Sequence, residues 1–147
     1  MGRPDSERRH ARERALQILF QLEQTGEDWS EAIPLFWKHH PAIPAVRRYA
    51  ETLVAETSMH RIEIDRVLSE ALERWTLKRL GTVERSVLRL AACELLYKPD
   101  VPPKVAIDEA VDVAKKFATD EAGKFVNAVL DRIKTSLENG MISLAGA

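Results

Sequence analysis

Arginine side chains near the N-terminus are the first residues of this sequence with a recognisable chemistry. Between positions 3 and 14 the chain has five arginines against three carboxylates, whereas its overall net charge is −1. Guanidinium groups donate paired hydrogen bonds that match the geometry of phosphate. A cationic cluster at the start of a helix also opposes the helix dipole, which costs stability. We therefore expect the cluster to serve a purpose outside the fold, and phosphate binding is the natural one.

A second candidate is the stretch from Gly123 to Asn127, which combines a lysine with an aromatic ring. We expect it in the first turns of a helix, where unpaired backbone N–H groups and the positive end of the dipole attract anions. An exposed ring of Phe125 would suit an unstacked base, whereas its helical spacing favours a position in the core. Both roles stay open at this point.

Motifs of the common catalytic and metal sites do not occur in the sequence. It contains neither a glycine-rich phosphate loop nor an HExxH motif. The single cysteine, Cys93, has no histidine at a recognisable spacing and is predicted to be a small buried hydrophobe. The neighbours His39 and His40 point in different directions on a helix, with no second group of ligands nearby. We predict no catalytic residue, no metal site and no cofactor.

The helix predicted from Thr82 to Lys98 organises the elements that position these residues. Apolar side chains surround nearly its whole circumference, interrupted only by Glu84, Arg85, Ser86, Arg89 and Glu94. A helix that is apolar on every side is buried on every side. Thr82 is the expected N-cap, and Pro99 prevents continuation.

Apolar stripes predict further helices over residues 6–24, 29–40, 45–74 and 103–118, and another that begins after Thr119 or Asp120. In the first of them, the arginines are expected to lie away from the centre of the apolar face. Ser30 is the expected cap of the second, and the third is expected to be one long helix with at most a bend near positions 58–60. Carboxylates are expected on solvated faces, among lysines and arginines.

These elements predict an all-α protein, a compact bundle of about six to seven helices around the central buried one. A chain of 147 residues suits a single domain. We expect an N-terminal helical part over about 5–80, a C-terminal helical part over about 81–138 and a frayed tail over 139–147. Neither a signal peptide nor an apolar run of about 18 residues is present. With one cysteine, the chain is expected to be cytoplasmic, without a membrane partner.

Several motifs of the sequence resemble the NusB family of transcription antitermination factors. They are RRHARE at 8–13, GTVERSVLR at 81–89, VPPKVAIDEA at 101–110 and KFVNAVLD at 124–131. The resemblance is collinear over about residues 7–134, and the last two motifs are the most specific.

The resemblance implies two small helical subdomains and binding to the single-stranded boxA element of ribosomal RNA leader transcripts. It also implies a partner, a small-subunit ribosomal protein that acts as a Nus factor, and a place in the antitermination complex of RNA polymerase. The RNA contacts that it implies are Arg8, Arg9, Arg12, Lys124 and Phe125. Glu84, which opens the central helix, is implied on the side of the ribosomal protein.

The sequence departs from the family pattern in two places. His10 stands where many members have arginine, so we include it among the RNA contacts and expect that contact to depend on pH. Two carboxylates, Asp120 and Glu121, come just before Lys124. Their charge is expected to repel phosphate and to lower the intrinsic affinity for RNA.

Two other functions stay open. A similar helical domain precedes the catalytic domain of some ribosomal RNA cytosine methyltransferases, and the chain would then be an RNA-recognition domain of that kind. We expect no catalytic domain behind it, because the sequence ends near the end of the helical domain. The other alternative is a helical scaffold that binds only proteins.

Overall fold

The computed structural model describes the backbone of residues 4–142 and the side chains of residues 6–142. This part of the chain forms seven α-helices and one 3-10 turn, and it contains no strand. The elements are α1 (Pro4–Thr25), α2 (Trp29–His39), α3 (Pro44–Met59), α4 (Arg61–Leu72), the 3-10 turn (Leu77–Arg79), α5 (Thr82–Tyr97), α6 (Pro103–Phe117) and α7 (Asp120–Glu138). The all-α prediction is confirmed.

Helix α5 lies at the centre of the fold, as its apolar sequence predicts. All residues from Ser86 to Leu96 are buried, and the helix packs against α1, α3, α4, α6 and α7. Cys93 is fully buried, and this burial raises the pKa of its thiol to about 11. The thiol therefore stays protonated at neutral pH and packs as a small apolar group.

The apolar stripe over residues 44–72 is divided between α3 and α4, so the prediction of one long helix is wrong, although the break lies where a bend was expected. His60, at φ −104° and ψ 18°, separates the two helices. Its N–H donates to the Glu56 carbonyl and its carbonyl accepts from the Ile64 N–H, both at 2.9 Å, so both helix ends stay hydrogen-bonded. Its imidazole stacks on the Tyr97 ring with 4.0 Å between centroids. The apolar spacing continues across the break, which explains why the sequence pattern predicted at most a bend.

Two helix starts differ from the predictions. Helix α5 begins after Gly81, without a side-chain cap, so Thr82 is its first residue rather than its cap. The cap of α2 is Asp28, whose carboxylate accepts from the Ser30 N–H at 3.0 Å. A carboxylate is a stronger acceptor than a hydroxyl, and Ser30 lies inside the first turn.

Helices α6 and α7 form a hairpin that carries the C-terminal candidate residues. Thr119 caps α7, because its hydroxyl accepts from the Ala122 N–H at 3.0 Å. Of the two predicted caps, Thr119 and Asp120, the first is therefore the one observed. Gly123 faces the stem of Lys115, where an added Cβ would lie 2.7 Å from the lysine Cγ. The absence of a side chain at Gly123 therefore allows α7 to approach α6 closely.

One continuous apolar core includes residues of all seven helices. The division into an N-terminal part over about 5–80 and a C-terminal part over about 81–138 stays a prediction. Of the tail predicted to fray, residues 143–147 lie outside the described part of the chain.

Candidate nucleic-acid interface

Arg12 lies inside the protein, between α1 and α5. Its side chain donates from Nε and Nη2 to both carboxylate oxygens of Glu94, at 2.8–3.1 Å. Arg12 is 6% exposed and Glu94 2% exposed. Burial by itself disfavours the charge of Arg12, but the hydrogen bonds and the charge of Glu94 outweigh it, and the pKa of the guanidinium is raised. The expectation that Arg12 lies away from the buried face of α1 is therefore wrong.

Tyr49 of α3 completes this buried group. Its hydroxyl donates to the Glu94 carboxylate. The Arg8 guanidinium lies over its ring, with the Cζ atom of Arg8 4.6 Å from the ring centroid. Burial first, and then the charge of Glu94, raise the pKa of the Tyr49 hydroxyl. The carboxylate thus accepts from two side chains, which compensates its charge in the interior.

Arg8 and Arg9 remain at the surface and are held by carboxylates that lie just before α6 and near its middle. Arg8 donates to Asp100 at 3.0 Å, and this hydrogen bond lowers the pKa of the Asp100 carboxyl. Arg9 donates two hydrogen bonds to Glu109, each of 3.1 Å. These contacts fix the first turns of α1 against α6, whereas His10 is exposed on the same helix.

Lys124 and Phe125 lie in the first turns of α7, as predicted. Lys124 is exposed, with its Nζ 3.5 Å from a carboxylate oxygen of Glu121. Phe125 is partly buried against the core. The structure therefore places the ring between the two positions that the sequence left open, because it packs against the core and also lines a surface cleft.

The cleft beside Phe125 has a volume of about 340 Å³. Its lining includes Trp75 and Arg79 from the segment between α4 and α5, and Glu84 from the first turn of α5. Two residues predicted for different partners, Phe125 for RNA and Glu84 for a protein, are thus brought to one site.

Helix α6 connects the arginine end of α1 with the start of α7. Glu109 near its middle binds Arg9, and Lys116 near its end binds Glu13 of α1 at 2.9 Å. On the side of α7, the stem of Lys115 faces Gly123. From residue 109 to residue 116 a helix rises about 10 Å. The two predicted groups of RNA contacts are therefore joined by one rigid element.

The carboxylates that hold the arginines were not identified from the sequence. Glu94 carried a signal, because a charge within an otherwise apolar helix needs a buried partner. Asp100 and Glu109 carried none, because their arginine partners are 92 and 100 residues away along the chain. The expectation of solvated carboxylates is wrong for Glu94 and Glu109, which are both buried.

Neither a metal site nor a membrane-spanning helix is present among the described residues. Among residues 6–142, no group of three or more histidine, cysteine, aspartate or glutamate side chains is placed to hold a metal ion. Within residues 4–142, no helix is both long and apolar enough to cross a membrane.

Comparison with known proteins identifies the family. The family model described as NusB matches residues 9–135, which is most of the chain. The chain belongs to the NusB family. A transcription antitermination protein NusB of Desulfitobacterium hafniense is 44% identical over 133 residues, which cover 88% of this chain and 89% of that protein.

Solved structures of NusB proteins have the same fold. A crystal structure of the antitermination factors NusB and NusE in complex with dsRNA matches with a TM-score of 0.82 and 32% identity, covering 89% of this chain and 98% of that one. The T. maritima NusB structure matches with a TM-score of 0.81 and 35% identity, covering 92% and 97%.

Proposed function

We propose that this protein is a transcription antitermination factor that binds boxA-type RNA in ribosomal RNA leader transcripts. It acts in the cytoplasm together with a small-subunit ribosomal protein, and the complex modifies RNA polymerase so that it reads through terminators. The match to NusB in its complex with NusE and dsRNA is the observation that carries this proposal. The related complex contains dsRNA, whereas we propose a single strand here, because a partly exposed ring such as Phe125 suits an unstacked base.

The proposed RNA surface extends from α1 along α6 to α7. Arg8, Arg9 and His10 supply cationic and hydrogen-bonding groups at one end, and Lys124 and Phe125 supply a charge and a stacking ring at the other. A phosphate must compete with Asp100 for Arg8 and with Glu109 for Arg9, since both pairs exist in the free protein.

Arg12 contributes to this surface from inside the protein. Its guanidinium is bound to Glu94, and breaking a buried pair to reach a phosphate would leave an uncompensated charge. Its proposed role is therefore to fix α1, and with it Arg8 and Arg9, against α5.

The proposed protein partner contacts the start of α5. Glu84 is only partly buried and forms no ion pair with another side chain of residues 6–142. A carboxylate at this helix start is also favourable for the dipole. It therefore remains available for a basic side chain of the ribosomal protein.

The two alternatives have less support. The relatives that match most of this chain are transcription antitermination proteins, and they are not named as methyltransferases. A scaffold that binds only proteins would leave the exposed Lys124 beside the partly exposed ring of Phe125 without a use.

Transcription in vitro tests the proposed function. The template carries boxA upstream of a terminator, and read-through is measured with polymerase, this protein and the ribosomal protein. We expect more full-length transcript on the boxA template than on one with a scrambled boxA. Equal read-through on both templates, with all components present, would refute the proposal.

A further inference from the structure

Trp75 is an aromatic residue that the functional assignment leaves unused. It follows the end of α4, where Glu73 adopts a positive φ of 56°, and its N–H donates to the Leu72 carbonyl at 3.2 Å. Its side chain is nevertheless 54% exposed. Large exposed aromatic surface beside polar groups is typical of a binding site.

The exposed ring of Trp75 lines the same cleft as Phe125. Leu80 and Ala122 also line the cleft, together with the charged side chains of Arg79, Glu84 and Glu121. The volume of about 340 Å³ is that of a small ligand site. The lining residues come from the segment between α4 and α5, from the first turn of α5 and from the start of α7.

Arg79 differs from the three arginines that the resemblance implies as RNA contacts. Arg8, Arg9 and Arg12 each bind a carboxylate, whereas Arg79 has no ion pair with any side chain of residues 6–142 and is exposed. A phosphate can therefore approach Arg79 without displacing an intramolecular partner. Lys124, the neighbour of Phe125 in the chain, does have such a partner, because its Nζ lies 3.5 Å from a carboxylate oxygen of Glu121.

We propose that Trp75 and Arg79 form the second wall of a nucleotide-binding cleft in the RNA site. One unstacked base of the bound strand enters between Trp75 and Phe125, and Arg79 binds a neighbouring phosphate. The carboxylates of Glu84 and Glu121 repel the backbone, so the base rather than the phosphate enters the cleft. This inference rests on the proposed function, because it extends the site of Lys124 and Phe125.

The test combines substitutions in the protein with removal of single bases from the RNA. Single-stranded boxA-type RNA is titrated against the intact protein and against the Trp75→Ala, Trp75→Phe and Arg79→Gln variants. The matched controls are Ile62→Ala, at a 90% exposed apolar residue of α4, and Lys38→Gln on α2. Each titration is repeated with RNAs that carry one abasic position, and thermal melts are recorded for every variant.

The inference predicts a specific pattern. Trp75→Ala should weaken RNA binding about 5- to 150-fold, whereas Trp75→Phe should retain most of the affinity, because any aromatic ring offers a stacking face. One abasic position should weaken binding to the original protein but have little effect on Trp75→Ala. Arg79→Gln should flatten the log–log salt dependence by about 0.7. Neither control should change affinity or slope.

Other results would contradict the inference and separate it from the proposed function. If the original protein binds the RNA but no abasic position shows coupling to Trp75, the cleft is not a nucleotide site. If Trp75→Ala and Arg79→Gln leave RNA binding unchanged and weaken only the binding of the ribosomal protein, titrated in parallel, the cleft is a protein site. If the original protein does not bind boxA-type RNA at all, the proposed function fails first, and the inference fails with it.

Discussion

At the scale of single residues, Arg12 differs from the other predicted site residues because it is buried, in a pair with Glu94. The two side chains are 7% and 2% exposed. Replacing both members of a buried pair by apolar groups can be neutral, but removing one leaves a charge without compensation. Arg12 therefore affects the RNA surface through the position of α1.

We expect Arg12→Ala to lower the free energy of unfolding by about 3–5 kcal/mol, because Glu94 would remain buried without its partner. Urea denaturation measures this change. Arg66→Ala is the control, since Arg66 pairs with the exposed carboxylates of Glu63 and Glu70, and such surface pairs are each worth at most about 1 kcal/mol. Equal stability of the two variants would contradict the structural role of Arg12.

Phe125 is the residue where RNA binding and packing overlap. We expect Phe125→Ala to weaken RNA binding by about 1–3 kcal/mol through loss of a stacking face. Because the ring is only partly buried, its loss should destabilise the fold by less than the roughly 3–5 kcal/mol typical of a core phenylalanine. Titrations and thermal melts on the same samples decide between the roles, and a large loss of stability with unchanged RNA affinity would favour a purely structural one.

At the scale of elements, helices with a strong apolar period were predictable and the contacts between them were not. The central helix follows from residues 83–97 alone, because no polar face is left for solvent. The sequence predicted at most a bend near His60, because the apolar stripe is continuous there, whereas the complete break depends on local hydrogen bonds and on stacking against Tyr97. The carboxylate partners of Arg8, Arg9 and Arg12 could not be predicted from the sequence either, because they come from distant segments of the chain.

The C-terminal end of α1 is joined to α5 by a charged group. Glu23 accepts from Arg85 at 2.8 and 3.0 Å and lies 3.5 Å from Arg89, which in turn donates two hydrogen bonds to Asp65 of α4. Burial opposes the charge of Glu23, but Arg85 and then Arg89 outweigh it, so the pKa of the carboxyl is lowered.

This pKa shift predicts how stability depends on pH. Because the folded-state pKa of Glu23 is lower than the unfolded one, its contribution is complete above the unfolded value near 4.5 and is lost as pH falls through the folded value. We expect Glu23→Gln to cost about 1–3 kcal/mol at pH 7, and less at pH 3 than at pH 7. Chemical denaturation at both pH values measures the difference, and the same cost at both would exclude an ionised Glu23 as the source.

The first turn of α7 should limit RNA affinity. We expect Glu121→Lys to strengthen RNA binding, because an attractive charge replaces a repulsive one next to Lys124 and Phe125. The lost dipole interaction should cost only about 0.3–1 kcal/mol of stability. Glu138→Lys, at the other end of the same helix, makes the same change in net charge and should have a much smaller effect. Weaker RNA binding by folded Glu121→Lys would place the RNA elsewhere.

At the scale of the whole molecule, the proposed RNA surface and the proposed partner surface meet at one cleft. Phe125 and Glu84 both line it, although the sequence separates them by about forty positions. Two ligands that bind next to each other can favour each other's binding. Linkage then requires that RNA raise the affinity for the ribosomal protein by the same factor as the protein raises the affinity for RNA.

Glu84→Lys tests this arrangement. We expect it to weaken binding of the ribosomal protein, because a basic partner side chain would meet a like charge, and not to weaken RNA binding by the isolated protein. Calorimetric titration with each ligand separately measures both affinities. Unimpaired binding of the ribosomal protein by the variant would move the partner interface away from Glu84.

Specific RNA binding is the central claim, and a competition titration tests it most directly. The protein is titrated with labelled boxA RNA at several salt concentrations, against unlabelled boxA RNA or a scrambled RNA of the same length and composition. We predict that boxA RNA competes far better than the scrambled RNA. We also predict that affinity falls with salt and that Arg9→Ala flattens the log–log slope by about 0.7. Equal competition by the two RNAs, or an affinity that does not change with salt, would contradict the account.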